Sequence, residues 1–116
     1  MKYSELRVWQ EAMDLVTEIY GLSKSFPLEE KYGLISQLQR AAVSVPSNIA
    51  EGHGRKSTNA YTNHLSIAFG SLMELETQIQ IALRLHYLSD VEATSLLDRT
   101  NRIGKMLSAL KNSLAK

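Results

Sequence analysis

Two long stretches of this chain, 34–49 and 61–82, carry apolar residues at intervals of three and four, each with a polar line beside it. In the first, Leu34, Leu38, Ala41, Val45 and Ile49 make the apolar stripe. At about 100° per residue, Gln37, Arg40, Ser44, Asn48 and Glu51 fall within roughly 80° of one another alongside it. In the second, Tyr61, Leu65, Ala68, Leu72, Leu75, Ile79 and Ala82 share one stripe, with His64, Ser71, Glu74 and Gln78 on the neighbouring line. Such spacing demands helices. A solvated helix face ordinarily carries Lys and Glu. Gln, Ser and Asn suit a partly buried seam, where each can be hydrogen-bonded rather than left as a bare charge.

The rest of the chain extends the pattern. Trp9, Ala12, Met13, Val16, Ile19 and Tyr20 mark a first amphipathic helix, with Ser4 as its cap and Glu5 near its positive end. It should stop near Ser25, because Pro27 disfavours helical geometry at Phe26. Pro27 can open the second helix, with Glu29 and Glu30 in its first turn and its end near Gly52. Pro46 lies inside that helix, where it removes a hydrogen bond and crowds the preceding turn at about 3 kcal/mol or more. Val45 and Ile49 keep the apolar phase across it, so a kink is expected rather than a break. Ser44 or Asn48 is placed to serve a backbone group that the kink frees. Gly52-His53-Gly54 then ends the helix with backbone freedom.

Ser57 caps a third helix over about 58–86, and Ser89-x-x-Glu92 is a capping box for a fourth over about 90–113. Leu96, Ile103, Leu107, Leu110 and Leu114 supply the last apolar stripe. The expected fold is all-α: one domain over 1–116, an up-down-up-down antiparallel four-helix bundle with helix two kinked near Pro46. Counting back from the turn between helices two and three sets Gln37 and Arg40 level with Ser71 and Glu74. Arg40 is therefore predicted to pair with Glu74 or Glu76.

Composition narrows the function. With 116 residues, the chain can bury roughly two-thirds of the surface that its unfolded form exposes. There is no cysteine, so thiolate chemistry and disulfides are excluded, in keeping with a reducing compartment. No apolar run approaches the ~18 residues of a membrane span. The opening MKYSELRVWQ has no apolar signal core, and the expected location is the cytoplasm. A net charge of +1 does not announce a polyanion binder, so any nucleic-acid contact needs a local patch or a patch repeated by assembly.

Several constellations are candidate sites. Gln37, Arg40, Ser44, Asn48, Glu51, Ser71 and Glu74 form a polar seam. It reads as a network fixing helix register or a subunit contact, or as a binding groove; it lacks the nucleophile, base and oxyanion donor of an active site. Arg55 and Lys56, after Gly52-His53-Gly54, could face phosphate at the start of helix three, but no strand precedes them and the Walker spacing is missing. Arg99, Arg102 and Lys105 recur every three residues and could track phosphates. From Arg99 onward there are five basic residues and no acid, Lys116 among them. The plainer reading is a solvated face. His53, His64 and His86 show no metal-ligand spacing, and neither metal nor cofactor is expected. Apolar residues outside the main stripes, Ile35, Val43 and Pro46 on helix two and Ile67, Phe69, Met73 and Ile81 on helix three, point to self-association.

The central run Gln37-Leu38-x-Arg40-Ala41-Ala42-x-Ser44-x-Pro46-x-Asn48-Ile49-Ala50-Glu51-Gly52-x-Gly54-Arg55 resembles the signature of the 23S rRNA-intervening-sequence protein family of bacterial four-helix bundles. Leu6-x-Val8-Trp9-x-x-Ala12 and Gly70-Ser71-x-x-Glu74-Leu75-Glu76 match it too, so the resemblance covers nearly the whole chain. The sequence is also similar to the accessory protein of diversity-generating retroelements. The resemblance implies a bundle that assembles into a ring, most readily a homopentamer, and an association with RNA loci. Two departures stand out. Gln39 replaces the second Arg of a basic doublet, and Ala60 with His64-Leu65 replaces an acidic residue and Phe-Leu, which removes a capping box from helix three.

The reading from sequence is a non-catalytic, self-assembling bundle that binds nucleic acid or a nucleic-acid-processing partner. A small-ligand binder or enzyme using the helix two/helix three groove is the alternative, and a purely structural oligomer is a third.

Overall fold

The computed structural model describes residues 1–115. Four helices account for most of them: α1 (Arg7–Ser23), α2 (Leu34–His53), α3 (Thr58–Arg84) and α4 (Asp90–Leu114). Short 3-10 turns at Tyr3–Glu5 and Leu28–Glu30 complete the regular structure, and no strand occurs among the described residues. The helices in contact are α1/α2, α2/α3, α3/α4 and α1/α4, so they stand at the corners of a square in chain order. The body measures 45 × 24 × 20 Å.

Hydrogen-bond partners give the helix directions. Along α2/α3, His53 meets Tyr61, Asn48 meets His64 and Ser44 meets Ser71, one number falling as the other rises. The same reversal holds for α3/α4, where Ser66 meets Lys111 and Glu76 meets Thr100. It holds again for α1/α4, where Glu11 meets Arg102 and Glu18 meets Arg99. Each of these pairs is antiparallel.

The apolar stripes read on helices two, three and four supply most of the core, whereas on helix one the core face is Val8, Ala12, Leu15 and Ile19, and Met13 and Tyr20 of the expected stripe are exposed. Leu15, Leu38, Val45, Ile49, Leu65, Leu72, Leu75, Ile79, Leu96, Ile103 and Leu107 are essentially sealed from solvent. Burying one such side chain contributes about 1.5–3 kcal/mol. Two caps expected from sequence are present. Ser57 Oγ accepts from the Ala60 amide at 3.0 Å, and Ser89 and Glu92 form the reciprocal box at 3.1 and 2.9 Å.

Helix starts differ from expectation in two places. Ser4 does not cap α1. It lies inside a 3-10 turn that the Glu5 carboxylate fastens to the Lys2 amide at 2.9 Å, and α1 begins only after the extended Leu6. Nor does α2 start at Pro27. Leu28–Glu30 make one 3-10 turn, and α2 starts at Leu34, whose amide donates to Glu30 Oε1 at 3.1 Å. Oε2 of the same carboxylate accepts from the Tyr87 hydroxyl at 2.9 Å. Glu30 thus caps α2 and ties it to the α3–α4 connection.

Helix α2 runs unbroken through Pro46, which is buried. A prolyl nitrogen deprives the carbonyl four residues earlier, here Ala42, of its donor. Asn48 Nδ2 donates to the Ser44 carbonyl instead, at 2.9 Å, so it does not serve the group that Pro46 frees. Gly52 and Gly54 also differ from expectation. Neither has positive φ, and Gly52 lies buried within the helix. Its role is close approach: a Cβ there would stand 2.7 Å from His64 Cβ and 3.0 Å from the Tyr61 ring.

Helix α3 ends on a Schellman motif. The Tyr87 amide donates to Ala82 O at 2.9 Å and the His86 amide to Leu83 O at 3.0 Å. His86 fills the left-handed position with φ 63°, where glycine is the usual residue.

Candidate functional site

The polar seam of α2 and α3 is built as one connected network at its centre and two open ends. Ser44 and Ser71 lie on the facing shoulders of their helices, and their hydroxyls meet at 2.8 Å. Asn48, one turn along α2 from Ser44, donates to Ser44 Oγ at 3.0 Å as well as to its carbonyl. Asn48 Oδ1 lies 3.1 Å from His64 Nδ1 on α3. His64 Nδ1 is also 3.5 Å from Glu51 Oε2, and Glu51 reaches Arg55 at 3.8 Å. Ser44, Asn48, His64 and Ser71 are half-buried, whereas Gln37, Arg40, Glu51 and Glu74 are exposed. The hydroxyls of the centre are hydrogen-bonded to one another and to Asn48.

Beyond this centre, toward the start of α2, the helices part to leave a groove of about 460 Å3. Gln37 and Arg40 line one wall and Ser71 and Glu74 the other, with Gln78 also lining it and Tyr32 among its residues. The predicted ion pair does not form: Arg40 has no charged or hydrogen-bonding partner among the described residues, nor has the Glu74 side chain. Glu76 faces α4, where Thr100 Oγ1 donates to it at 2.7 Å. Helical spacing set Arg40 and Glu74 level with each other, but both side chains are exposed and nothing packs them together.

The basic candidates do not form one patch. Arg99 Nε lies 2.8 Å from Glu18, and Arg102 Nη1 3.2 Å from Glu11, so both are tied to α1. Lys105 faces the α3/α4 cleft beside Phe69 and Met73. Arg55 and Lys56 sit at the α2–α3 turn, across the bundle from the α1/α4 pairs. Lys116 lies outside the described residues.

Contacts that the sequence did not announce join distant segments. His53 places its ring edge-on to Tyr61, with Nδ1 3.1 Å from the phenol oxygen and Nε2 2.9 Å from the Met1 carbonyl. Burial pushes the Tyr61 phenol above its ordinary range. Gln39, at the departure from the basic doublet, donates to Ser23 Oγ at 3.2 Å and so joins α1 to α2.

Two apolar clefts lie outside the core. One, between α1 and α2, is lined by Tyr3, Trp9, Met13, Val43 and Pro46. The other, between α3 and α4, is lined by Phe69, Met73, Gly104 and Ala109. Ile67 and Ile81 are exposed on α3 as anticipated, but Ile35 is half-buried against the core and Pro46 is buried, so helix two offers only Val43 as an exposed outer apolar residue.

Among the described residues no three His, Asp or Glu gather closely enough to hold a metal ion, and no described helix is long and apolar enough to cross a membrane.

Four helices around one core, with a hydroxyl–amide–imidazole seam between α2 and α3, define an all-α bundle of the four-helix class. The chain belongs to the 23S rRNA-intervening sequence protein family, whose sequence pattern matches residues 4–109. The fold is similar to the crystal structure of a protein with unknown function from the S23 ribosomal protein family of Bacteroides thetaiotaomicron. The TM-score is 0.84 at 22% identity, covering 90% of this chain and 97% of that one. Comparison with curated proteins gives no match.

Proposed function

We propose that this chain is a non-catalytic accessory subunit of the cytoplasm that assembles with copies of itself. The observation that supports this is the pair of apolar clefts. The α1/α2 edge and the α3/α4 edge lie on opposite sides of the square, and each exposes large apolar side chains: Met13 and Val43 on one, Phe69 and Met73 on the other. Contiguous exposed apolar surface ordinarily marks an interface. The two clefts differ, so a copy that docks one cleft against the other makes a head-to-tail contact, whose repetition gives a ring where the rotation between subunits closes. A ring of five is the size implied by the family resemblance.

A nucleic acid, or a protein that processes one, is the proposed ligand of the assembly. The family's description as a 23S rRNA-intervening sequence protein supports this reading. Lys56 and Lys105 are exposed and have no carboxylate partner among the described residues, whereas Arg55, Arg99 and Arg102 each neighbour an acid. Of these candidate residues, the two free cations in each subunit bind a polyanion weakly, and a ring multiplies them.

Light scattering tests the assembly, with Val43→Asp and Met73→Asp as variants on the two edges. The expected result is an oligomer for the parent chain and monomers for both variants with helicity intact. A parent chain that runs as a monomer at high concentration overturns the reading. Retention on RNA and DNA at low salt tests the ligand, with loss expected for Lys56→Glu/Lys105→Glu.

A further inference from the structure

The groove at the start of α2 holds a feature that assembly does not explain. Gln78 is 5% exposed, lines the groove, and its amide oxygen has no hydrogen-bond partner among the described residues. Buried polar side chains in native proteins nearly always have a partner, so an orphan marks a missing one. Rotation about the last bond of Gln78 is soft and brings either end of the amide toward the groove. Above it, Arg40 on α2 and Glu74 on α3 stand on facing walls, unpaired with each other and with any other described residue. A simple anion entering here meets the Glu74 charge, and a simple cation meets Arg40. A molecule carrying both charges satisfies both walls. The volume, about 460 Å3, lies in the range of small-molecule sites.

We propose that the α2/α3 groove binds a small zwitterion of the amino-acid class, its carboxylate at Arg40, its ammonium at Glu74, and an N–H donated to Gln78. Tyr32, 88% exposed at the groove's end, supplies an aromatic face for the remainder of the ligand. Arg presents a planar fork to a carboxylate, and the ammonium hydrogens suit Glu74 and the Gln78 oxygen together.

The test is amide chemical-shift titration of the full chain with each proteinogenic amino acid and with γ-aminobutyrate, at constant ionic strength. At least one probe is expected to give saturable shifts centred on Ser71, Glu74 and Gln78. Arg40→Gln and Glu74→Gln alter exposed residues and leave the core alone, and each is expected to weaken that binding about tenfold or more. Acetate and methylammonium, each half of the probe, are expected to bind at least about tenfold more weakly than the zwitterion. The proposal is overturned if no probe saturates below about 10 mM, or if both variants respond as the parent does. It is also overturned if the groove amides shift on dilution of the protein alone, which would assign the groove to a second copy of the chain.

Discussion

Gly52 and His64 press α2 against α3 so closely that a Cβ on the glycine would stand 2.7 Å from the Cβ of the histidine. The His64 ring then reaches back to Asn48 on the helix that Gly52 brings near. Close backbone approach and polar network are one arrangement. Gly52→Ala should destabilise the fold by about 1–3 kcal/mol, the usual cost of overpacking, despite the better helix propensity of alanine. Urea unfolding measures this, and a neutral or stabilising result contradicts the close-approach role.

The seam's hydroxyls predict an asymmetry. Ser44→Ala removes the hydroxyl that meets both Ser71 Oγ and Asn48 Nδ2, although Asn48 keeps its bond to the Ser44 carbonyl, while Ser71→Ala removes a single contact. Each lost partner costs about 1 kcal/mol, so Ser44→Ala should cost roughly 1–2 and Ser71→Ala roughly 0.5–1 kcal/mol. The double variant should be less destabilised than the sum, because the pair shares one bond.

His86 offers a gain. Its left-handed backbone carries a Cβ cost of about 1–2 kcal/mol, against about 0.5–1 kcal/mol for the greater unfolded-state freedom of glycine. His86→Gly should therefore raise stability by roughly 0.5–1 kcal/mol, visible as a higher melting temperature. The side chain is exposed and makes no hydrogen bond, so little is lost.

Tyr87 should impose a pH dependence. Its hydroxyl donates to Glu30, and this bond, then burial and the nearby Glu30 and Glu29 charges, hold the phenol above its ordinary range. The folded state therefore keeps the proton that the unfolded chain releases. The stabilisation is present in full below the ordinary tyrosine value of about 10 and is lost as pH rises through the raised one. Tyr87→Phe should be less stable than the parent at neutral pH, and the difference should shrink above about pH 10. A constant difference between the two across that range contradicts this.

The α1–α4 ion pairs predict separable effects on stability and binding. Glu11→Gln and Glu18→Gln each cost less than about 1 kcal/mol, as partly exposed pairs do. Both release an arginine from its carboxylate. Retention on a polyanion at low salt should then rise, and a fall would argue that the α1/α4 edge is not where nucleic acid docks.

Much of this fold is legible in the sequence because its signals are local. The apolar stripes of helices two to four supply most of the core, that of helix one was read one face off at Met13 and Tyr20, and the caps at Ser57 and Ser89 depend on residues three apart. The helix starts that were misplaced depend on contacts across the chain. The start of α2 is delayed to Leu34 because Glu30 is shared with Tyr87, 57 residues away, which no periodicity reports. The seam was legible as a line of residues but not as a network. Spacing places Arg40 beside Glu74 along the axis; it does not bring two exposed side chains into contact. His53 with Tyr61, and Gln39 with Ser23, combine residues that read singly as turn, packing and surface.

The placement of the two apolar clefts on opposite edges has a consequence for mixtures. In a head-to-tail assembly, a chain with one edge disabled still offers the other, so it can join a growing end and then refuse the next arrival. Val43→Asp and Met73→Asp chains, each unable to associate alone, retain complementary intact edges and should pair one to one when combined. Doped into the parent protein, either should act as a terminator, breaking closed rings into short open runs at ratios well below equimolar.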